Sequence, residues 1–261
     1  MKNQSNQVKE RPIIFSGDTV KTILDGKKTM IRRVVKSDFI NNYKHAHIIK
    51  QSSDKSREGK AYFYDKPVGG MVLSSQLVSN PYGKVGDRLW VRETRIQGYD
   101  NPLIESEGDD ENAVSIIYKT DGKEEYRSCS AETAENWGDF SADSEMVGFK
   151  SPIHMPRWAS RILLEIIDIR VERLNDISDE DAVKEGIRNY NFEMEDSPDT
   201  YVGYTHLQKD DGKSTLYKTP AIAFERLWDT LNAKKGYPWS SNPWVWVVEF
   251  KVVEVAIHDK H

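Results

Sequence analysis

Apolar and polar positions along the chain fall into short runs, each with its own period. Pro12-Ile13-Ile14-Phe15 predicts a short buried strand, and Ser16-Gly17-Asp18 behind it supplies turn and helix-capping chemistry. Val20, Ile23 and Leu24 then recur at i, i+3, i+4, one face of a short helix that Gly26 stops. A basic loop, Lys27-Lys28-Thr29-Met30-Ile31-Arg32-Arg33, leads into Val34-Val35. Gly86-Asp87 begins a turn, and Leu89 and Val91 alternate with Arg88, Trp90 and Arg92 as in a strand. Val114–Lys119 and Glu125–Ser128 flank Asp121-Gly122 and predict a small hairpin. Arg161 to Val171 alternates in its second half and predicts a long strand. Ser178 as N-cap, Asp181 three residues on and Gly186 as stop delimit a helix. Pro220 begins another, with Ala223, Phe224, Leu227, Trp228 and Leu231 on its apolar face. Asn242-Pro243 breaks the chain before a last strand, Trp244 to Val255.

Three stretches read as irregular, polar insertions: 37–81, 98–147 and 188–218. There is no internal repeat, no regular βαβ alternation and no Gly-rich phosphate loop. An α+β or β-barrel-type fold therefore fits better than a doubly wound sheet. The expected organisation is a single domain over 11–261 carrying the three insertions, behind a flexible tail, 1–10.

Composition narrows the class. Of 261 residues, 38% are hydrophobic and 30% charged, which suits a folded chain with a polar surface. The one cysteine, Cys129, excludes a disulfide within the chain and a Cys-rich zinc site, and a cytoplasmic setting is the simplest reading. Met1–Glu10 lacks the apolar stretch of a signal peptide, and no run approaches a membrane span. The net charge of -5 conceals blocks: 19 basic and 9 acidic residues in 1–97, but 3 and 14 in 98–147. The basic block suits phosphates, and the acidic one suits a basic protein partner or folds over the basic one.

Several residues are candidates for chemistry. Lys27, Lys28, Arg32 and Arg33 put four cations within seven positions, where arginine can fork onto phosphate oxygens and lysine acts as a point charge. An exposed, solvated basic loop is the competing reading. Glu185 sits at the end of the helix after Ser178, where a carboxylate opposes the helix dipole, so a cation such as Lys28 or Arg33 is expected to hold it. A Lys–Glu pair in a cleft tunes acid–base chemistry. Trp90 and Trp158, beside arginines, are candidate stacking surfaces, whereas Trp228 reads as core. His45 and His47 share a side of an extended segment but have no matching third metal ligand, and His154 reads as a structural loop residue. Cys129, in the acidic insertion, lacks the surroundings that lower a thiol pKa. No metal and no cofactor are expected.

The segments Arg11–Gly17, Ile23–Thr29 with Arg32-Arg33, Gly86–Glu93, His154–Arg161, Ile177–Ile187 and Asn242–Val247 occur in an order that resembles the ASC-homology (ASCH) domain proteins of bacteriophages and prophages. The resemblance runs through nearly the whole chain and is weakest in the insertions. It implies an α+β fold with a small PUA-like β-barrel, flanking short helices and a cleft bordered by the Gly-x-Lys loop. The implied ligand is RNA, DNA or a modified nucleoside. Lys28 would line that cleft; together with the basic run and the tryptophans beside arginines, the expected binding set is Lys27, Lys28, Thr29, Arg32, Arg33, Arg88, Trp90, Arg92 and Trp158, with Arg88 and Arg92 on Trp90's side of their strand. A branch of the superfamily resembles acetylcytidine amidohydrolases, which use a Lys in this loop, a Thr three residues later and a Glu on the later helix. Lys28 and Glu185 match the Lys and the Glu as candidate catalytic residues, but Ile31 stands at the Thr position and cannot attack a carbonyl. The leading expectation is a nucleic-acid or nucleoside binder with no membrane role, cytoplasmic in a bacterial host. The alternatives are a hydrolase on a modified base or RNA, and a phage assembly factor acting through 98–147.

Overall fold

The structure is a computed structural model that describes residues 8–37, 40, 42–50, 52–65, 77–97, 113–128, 130, 132, 149–193, 200–205 and 215–255. In chain order the strands and α-helices are β1 (Glu10–Ile14), α1 (Gly17–Leu24), β2 (Met30–Val34), β3 (His45–Ile48), β4 (Ala61–Tyr64), β5 (Leu77–Val78), β6 (Arg88–Arg92) and β7 (Arg95–Gln97). They continue with β8 (Ala113–Tyr118), β9 (Glu124–Ser128), β10 (Phe149–Lys150), β11 (Ile162–Arg173), α2 (Asp179–Lys184), β12 (Arg188–Glu193), β13 (Thr200–Thr205), α3 (Pro220–Asn232) and β14 (Trp244–Val255). The class is α+β, as the sequence suggests. No helix among the described residues is long and apolar enough to cross a membrane.

The chain divides into two compact units, one of residues 1–24, 88–165 and 252–261, the other of 25–87 and 166–251. In the first, β1 runs parallel to β6, in register from Glu10↔Arg88 to Ile14↔Arg92. The start of β11 runs antiparallel to β6, with Leu163 opposite Trp90 and Glu165 opposite Arg88. Leu89, Trp90 and Val91 are buried, so neither face of β6 is left to water. A second sheet has the order β10-β7-β8-β9, and its β8–β9 pair is the hairpin that the Asp121-Gly122 turn predicts. Ile116, Tyr118, Met155 and Ala159 form a small core here.

That hairpin is tied down by charge as well as by packing. Arg161, with 2% of its side chain exposed, donates from Nε and Nη2 to Glu93 at 2.9 and 3.0 Å, and from Nη1 and Nη2 to Asp121 at 2.8 and 3.2 Å. Its guanidinium lies 4.0 Å from the centre of the Tyr118 ring. Burial raises the Glu93 pKa, and the bonds from Arg161 and Thr120 oppose that rise.

In the second unit, β14 runs antiparallel to β2, from Val245↔Val34 to Glu249↔Met30. β3, β4 and β5 form a three-stranded sheet, and β12 and β13 form a hairpin. The core gathers Met30 of β2, Ala182 of α2, Ala223, Phe224 and Trp228 of α3, and Val245 and Val247 of β14. Trp228 is therefore core, as its helical spacing implies. Thr219 caps α3 by accepting from the Ile222 N–H, and Pro220 takes the first turn, where its missing donor costs nothing.

Four expectations need correction. The basic stretch is a loop only to Thr29, because Met30 begins β2. Segment 37–81 is not irregular throughout, since Ala46, Ile48, Ala61 and Phe63 turn inward on two short paired strands whose polar flanks hide the alternation. Segment 188–218 contains the β12–β13 hairpin, for which Tyr190, Val202 and Tyr204 are suitable strand formers. Glu10, expected in the tail, pairs in β1. Most of the acidic insertion, with Cys129, lies outside the described residues, and so do residues 1–7.

Replacing Arg161 with Leu leaves Glu93 buried without its counter-charge. The expected loss is about 3–5 kcal/mol, read as a lower urea midpoint. A change below about 1 kcal/mol would show that the hairpin is held by packing alone.

Candidate functional site

The loop after Gly26 is fixed from both sides. Gly26 has φ +68°, a left-handed conformation that costs glycine little, and it turns the chain into Lys27. The Thr29 N–H then donates to the Lys184 carbonyl at 2.9 Å, and the Thr29 carbonyl accepts from the Phe250 N–H at 2.8 Å. This clamps the backbone beside Lys28 between the end of α2 and β14.

Helix α2 brings the partner. Ser178 accepts from the Asp181 N–H at 3.1 Å, as an N-cap should. Glu185 ends the helix, and Gly186, at φ +97°, releases the chain. Lys28 Nζ donates to the Glu185 carbonyl at 2.5 Å and to Oε2 of the same residue at 2.6 Å. One ammonium thus caps an orphan carbonyl at a helix C-terminus and neutralises the carboxylate placed there against the dipole. The two side chains are 9% and 4% exposed, so this is a desolvated pair. Burial lowers the Lys28 pKa; the Glu185 carboxylate raises it, and the charges of Arg33 and Arg32 lower it further.

Arg32 holds the other side of Glu185. Strand alternation puts Met30 and Arg32 on one face of β2 and Ile31 and Arg33 on the other. The Arg32 side chain is 0% exposed and reaches Glu172 and Asp181 at 2.6 Å each and Glu185 Oε1 at 3.3 Å. Its guanidinium also lies 5.8 Å from the centre of the Phe224 ring. Arg170 pairs with Glu172 at 2.9 Å, and with Asp181 and Asp168. Three cations are matched by four carboxylates, so the cluster has no surplus positive charge.

The predicted residues therefore separate. Lys28, Arg32 and Glu185 come together, with Arg32 rather than Arg33 as the second cation on Glu185. Arg32 is committed to carboxylates and has no fork left for phosphate. Lys27 and Arg33 are exposed, and Thr29 is half-buried and engaged through its backbone. Ile31, buried on the strand face opposite Arg32, packs as a core residue. Arg88, Trp90, Arg92 and Trp158 belong to the first unit. Trp90 is 7% exposed there, with the Arg92 guanidinium 4.6 Å from the centre of its ring. Trp158 packs against the small core of that unit. Trp90 thus offers little open ring to a base. His154 is exposed, and its carbonyl accepts from Arg95 at 3.4 Å. Among the described residues no group of three or more His, Cys, Asp or Glu side chains is arranged to hold a metal ion.

Glu172, Asp181 and Arg170 escaped the sequence reading. The available signal was Asp168, Arg170 and Glu172 at alternate positions of a long strand, which is one charged face. Asp181 passed for a helix-capping residue, yet its carboxylate turns to Arg32 and Arg170.

Comparison of the chain with protein-family models, with curated proteins and with solved structures found no match.

Arg32→Leu leaves Glu172, Asp181 and Glu185 without their shared counter-ion and is expected to cost about 3–5 kcal/mol. Lys27→Ala, at an exposed side chain 3.8 Å from Asp25, is expected to stay within about 0.5 kcal/mol. Thermal melts of the two variants compare them directly; equal shifts would contradict the geometry. The lowered Lys28 pKa gives a pH signature. Between the folded-state value and the ordinary 10.5, the unfolded chain binds more protons at this site, so stability from this group rises with pH. The stability of the wild type relative to Lys28→Met is expected to increase as pH climbs toward 10.5. A difference that shrinks over that window would reverse the sign of the shift.

Proposed function

We propose that this chain is an ASCH-like, PUA-like-barrel protein that binds a nucleobase or modified nucleoside at the Lys28–Glu185 pair. The observation that carries this reading is the ion pair itself: two side chains 157 positions apart, the two that the resemblance selects, meet at 2.6 Å. An ammonium has three donors, and Lys28 uses two of them on Glu185. A carboxylate has about four lone-pair sites, and Glu185 engages one on each oxygen, with Arg32 and Lys28. One donor on Lys28 and further lone pairs on Glu185 remain by this count, and a donor with an acceptor is what the Watson–Crick edge of a base complements.

Charge favours a base over a phosphate at this pair, because Arg32 and Arg170 are already matched by carboxylates. Lys27, exposed in the same loop with Asp25 at 3.8 Å, is the nearby cation that a sugar-phosphate would meet. The setting in a bacterial host cell and the phage association follow from the resemblance alone.

A second reading, amide hydrolysis of an acylated base, draws on the lowered Lys28 pKa next to a buried carboxylate. Here Glu185 would take a proton from water as the water oxygen adds to the acyl carbon, and Lys28 would donate to the carbonyl oxygen. As the tetrahedral adduct collapses, the proton held by Glu185 passes to the leaving nitrogen, the C–N bond breaks, and the re-forming carbonyl returns its proton to Lys28, releasing the deacylated base and the carboxylic acid. Ile31 supplies no nucleophile, so water must serve.

The test is calorimetric titration with cytidine, uridine, adenosine and N4-acetylcytidine, with products read by mass spectrometry. Binding is expected to weaken about tenfold or more in Glu185→Gln and in Lys28→Ala, in variants whose melting confirms folding. Unchanged affinity in both variants, or no binding of any nucleoside by the wild type, would overturn the site. A Glu185-dependent loss of the acetyl mass selects the hydrolase reading.

A further inference from the structure

One face of the β3–β4 pair is a row of rings. Register and alternation put His45 opposite Tyr64 and His47 opposite Tyr62, all four on the same side. His45 stacks on Tyr64 with centroids 5.4 Å apart, Tyr64 on Tyr62 at 5.3 Å, and His47 meets Tyr62 edge-on at 5.7 Å. Both imidazoles are exposed and both phenols half-buried. The other face of the pair does the packing: Ile48, Ala61 and Phe63 are buried, and Phe63 meets Trp244 edge-on at 5.4 Å. The ring row is therefore surplus to the core, on the side of an antiparallel sheet where polar residues usually face water.

Charge selects the occupant. Lys44, exposed, flanks the His45–Tyr64 end, where its backbone N–H donates to the exposed Asp65 carboxylate at 3.2 Å. Lys50 and Lys60 flank the other end, where the Ile49 N–H donates to the Lys60 carbonyl. The Lys50 side chain is 72% exposed, with Asp168 at 3.9 Å, a separation at which water screens the pair. Cations at both ends of an aromatic strip match the two things a single strand offers, a phosphate backbone and flat base faces. A duplex hides those faces inside its own stack. The strip spans two rungs, about 7 Å, which is room for about two bases at the 3.4 Å spacing of a stacked strand.

We propose that this face is a platform for single-stranded nucleic acid, with unpaired bases stacking on His45, Tyr64, Tyr62 and His47 and phosphates reaching Lys44 and Lys50. It is a second site, does not rest on the base-binding pair at Lys28, and assigns a role to two histidines that belong to no group of three or more potential metal ligands among the described residues.

The test is fluorescence anisotropy of the full chain with labelled eight-nucleotide uridine and thymidine strands and with an eight-base-pair duplex. The wild type is expected to bind the single strands more tightly than the duplex and to weaken as salt rises. Tyr62→Ala/Tyr64→Ala is expected to lose about tenfold or more in affinity, whereas Tyr62→Phe/Tyr64→Phe keeps it, because stacking needs the ring and not the hydroxyl. Nucleoside binding at Lys28 is expected to be unchanged in the same variants, so each site fails or stands alone. Should the double alanine variant not fold, His45→Ala/His47→Ala, at two exposed positions, is expected to weaken binding severalfold. Undiminished single-strand affinity in a folded ring-deleted variant, tighter binding of the duplex, or no binding by the wild type would overturn the platform.

Discussion

A guanidinium with none of its side chain exposed needs acceptors, and Arg32 draws three carboxylates from two other elements onto its two terminal nitrogens, while its Nε stays without a partner. Glu172 comes from β11, Asp181 from α2 and Glu185 from the end of α2. The arginine thus fixes where α2 can lie along β2, and with it where the Glu185 carboxylate and backbone carbonyl point. Lys28 then has one place to go, onto both groups of Glu185, and the bonds through Thr29 hold the loop there. The candidate site follows from how one buried charge is satisfied.

The same constraint bears on what the proposed site would recognise. A basic cluster read from sequence suggests phosphate binding, but cations neutralised by neighbouring carboxylates attract no anion at range. Hydrogen-bonding capacity is what remains at Lys28 and Glu185, and such capacity in a dry setting discriminates polar edges well, because a mismatch leaves a buried group unpaired. The exposed cations lie elsewhere, with Lys27 in the loop beside the pair and Lys44 and Lys50 beside the aromatic strip. In the proposed reading, base edge, phosphate and base face fall to different residues.

Much of the local structure was legible in the sequence. Ser178 and Gly186 delimit α2, Pro220 begins α3, and Asp121-Gly122 marks the β8–β9 turn, because caps and turns depend on one or two residues acting on nearby backbone. Long-range pairing was less legible. Glu185 does meet Lys28, yet Arg32 rather than Arg33 joins them, since the choice depends on which face of β2 looks toward α2. The run of cations hid where that strand begins. The β3–β4 pair was masked for a related reason: strands of four residues in polar surroundings carry too few alternations to stand out. The ring row appears only once register sets His45 against Tyr64.

The central claim is that Lys28, paired with Glu185, keeps a donor for a base. The most direct measurement follows the side-chain ammonium resonance of Lys28 by nitrogen-detected NMR while cytidine or N4-acetylcytidine is added to the labelled chain. The expected result is a saturable shift of that resonance, together with slowed exchange of its protons as a third acceptor arrives. A Lys28 signal that stays fixed while other resonances of the chain report nucleoside binding would contradict it, and would leave the buried pair as a structural clamp alone.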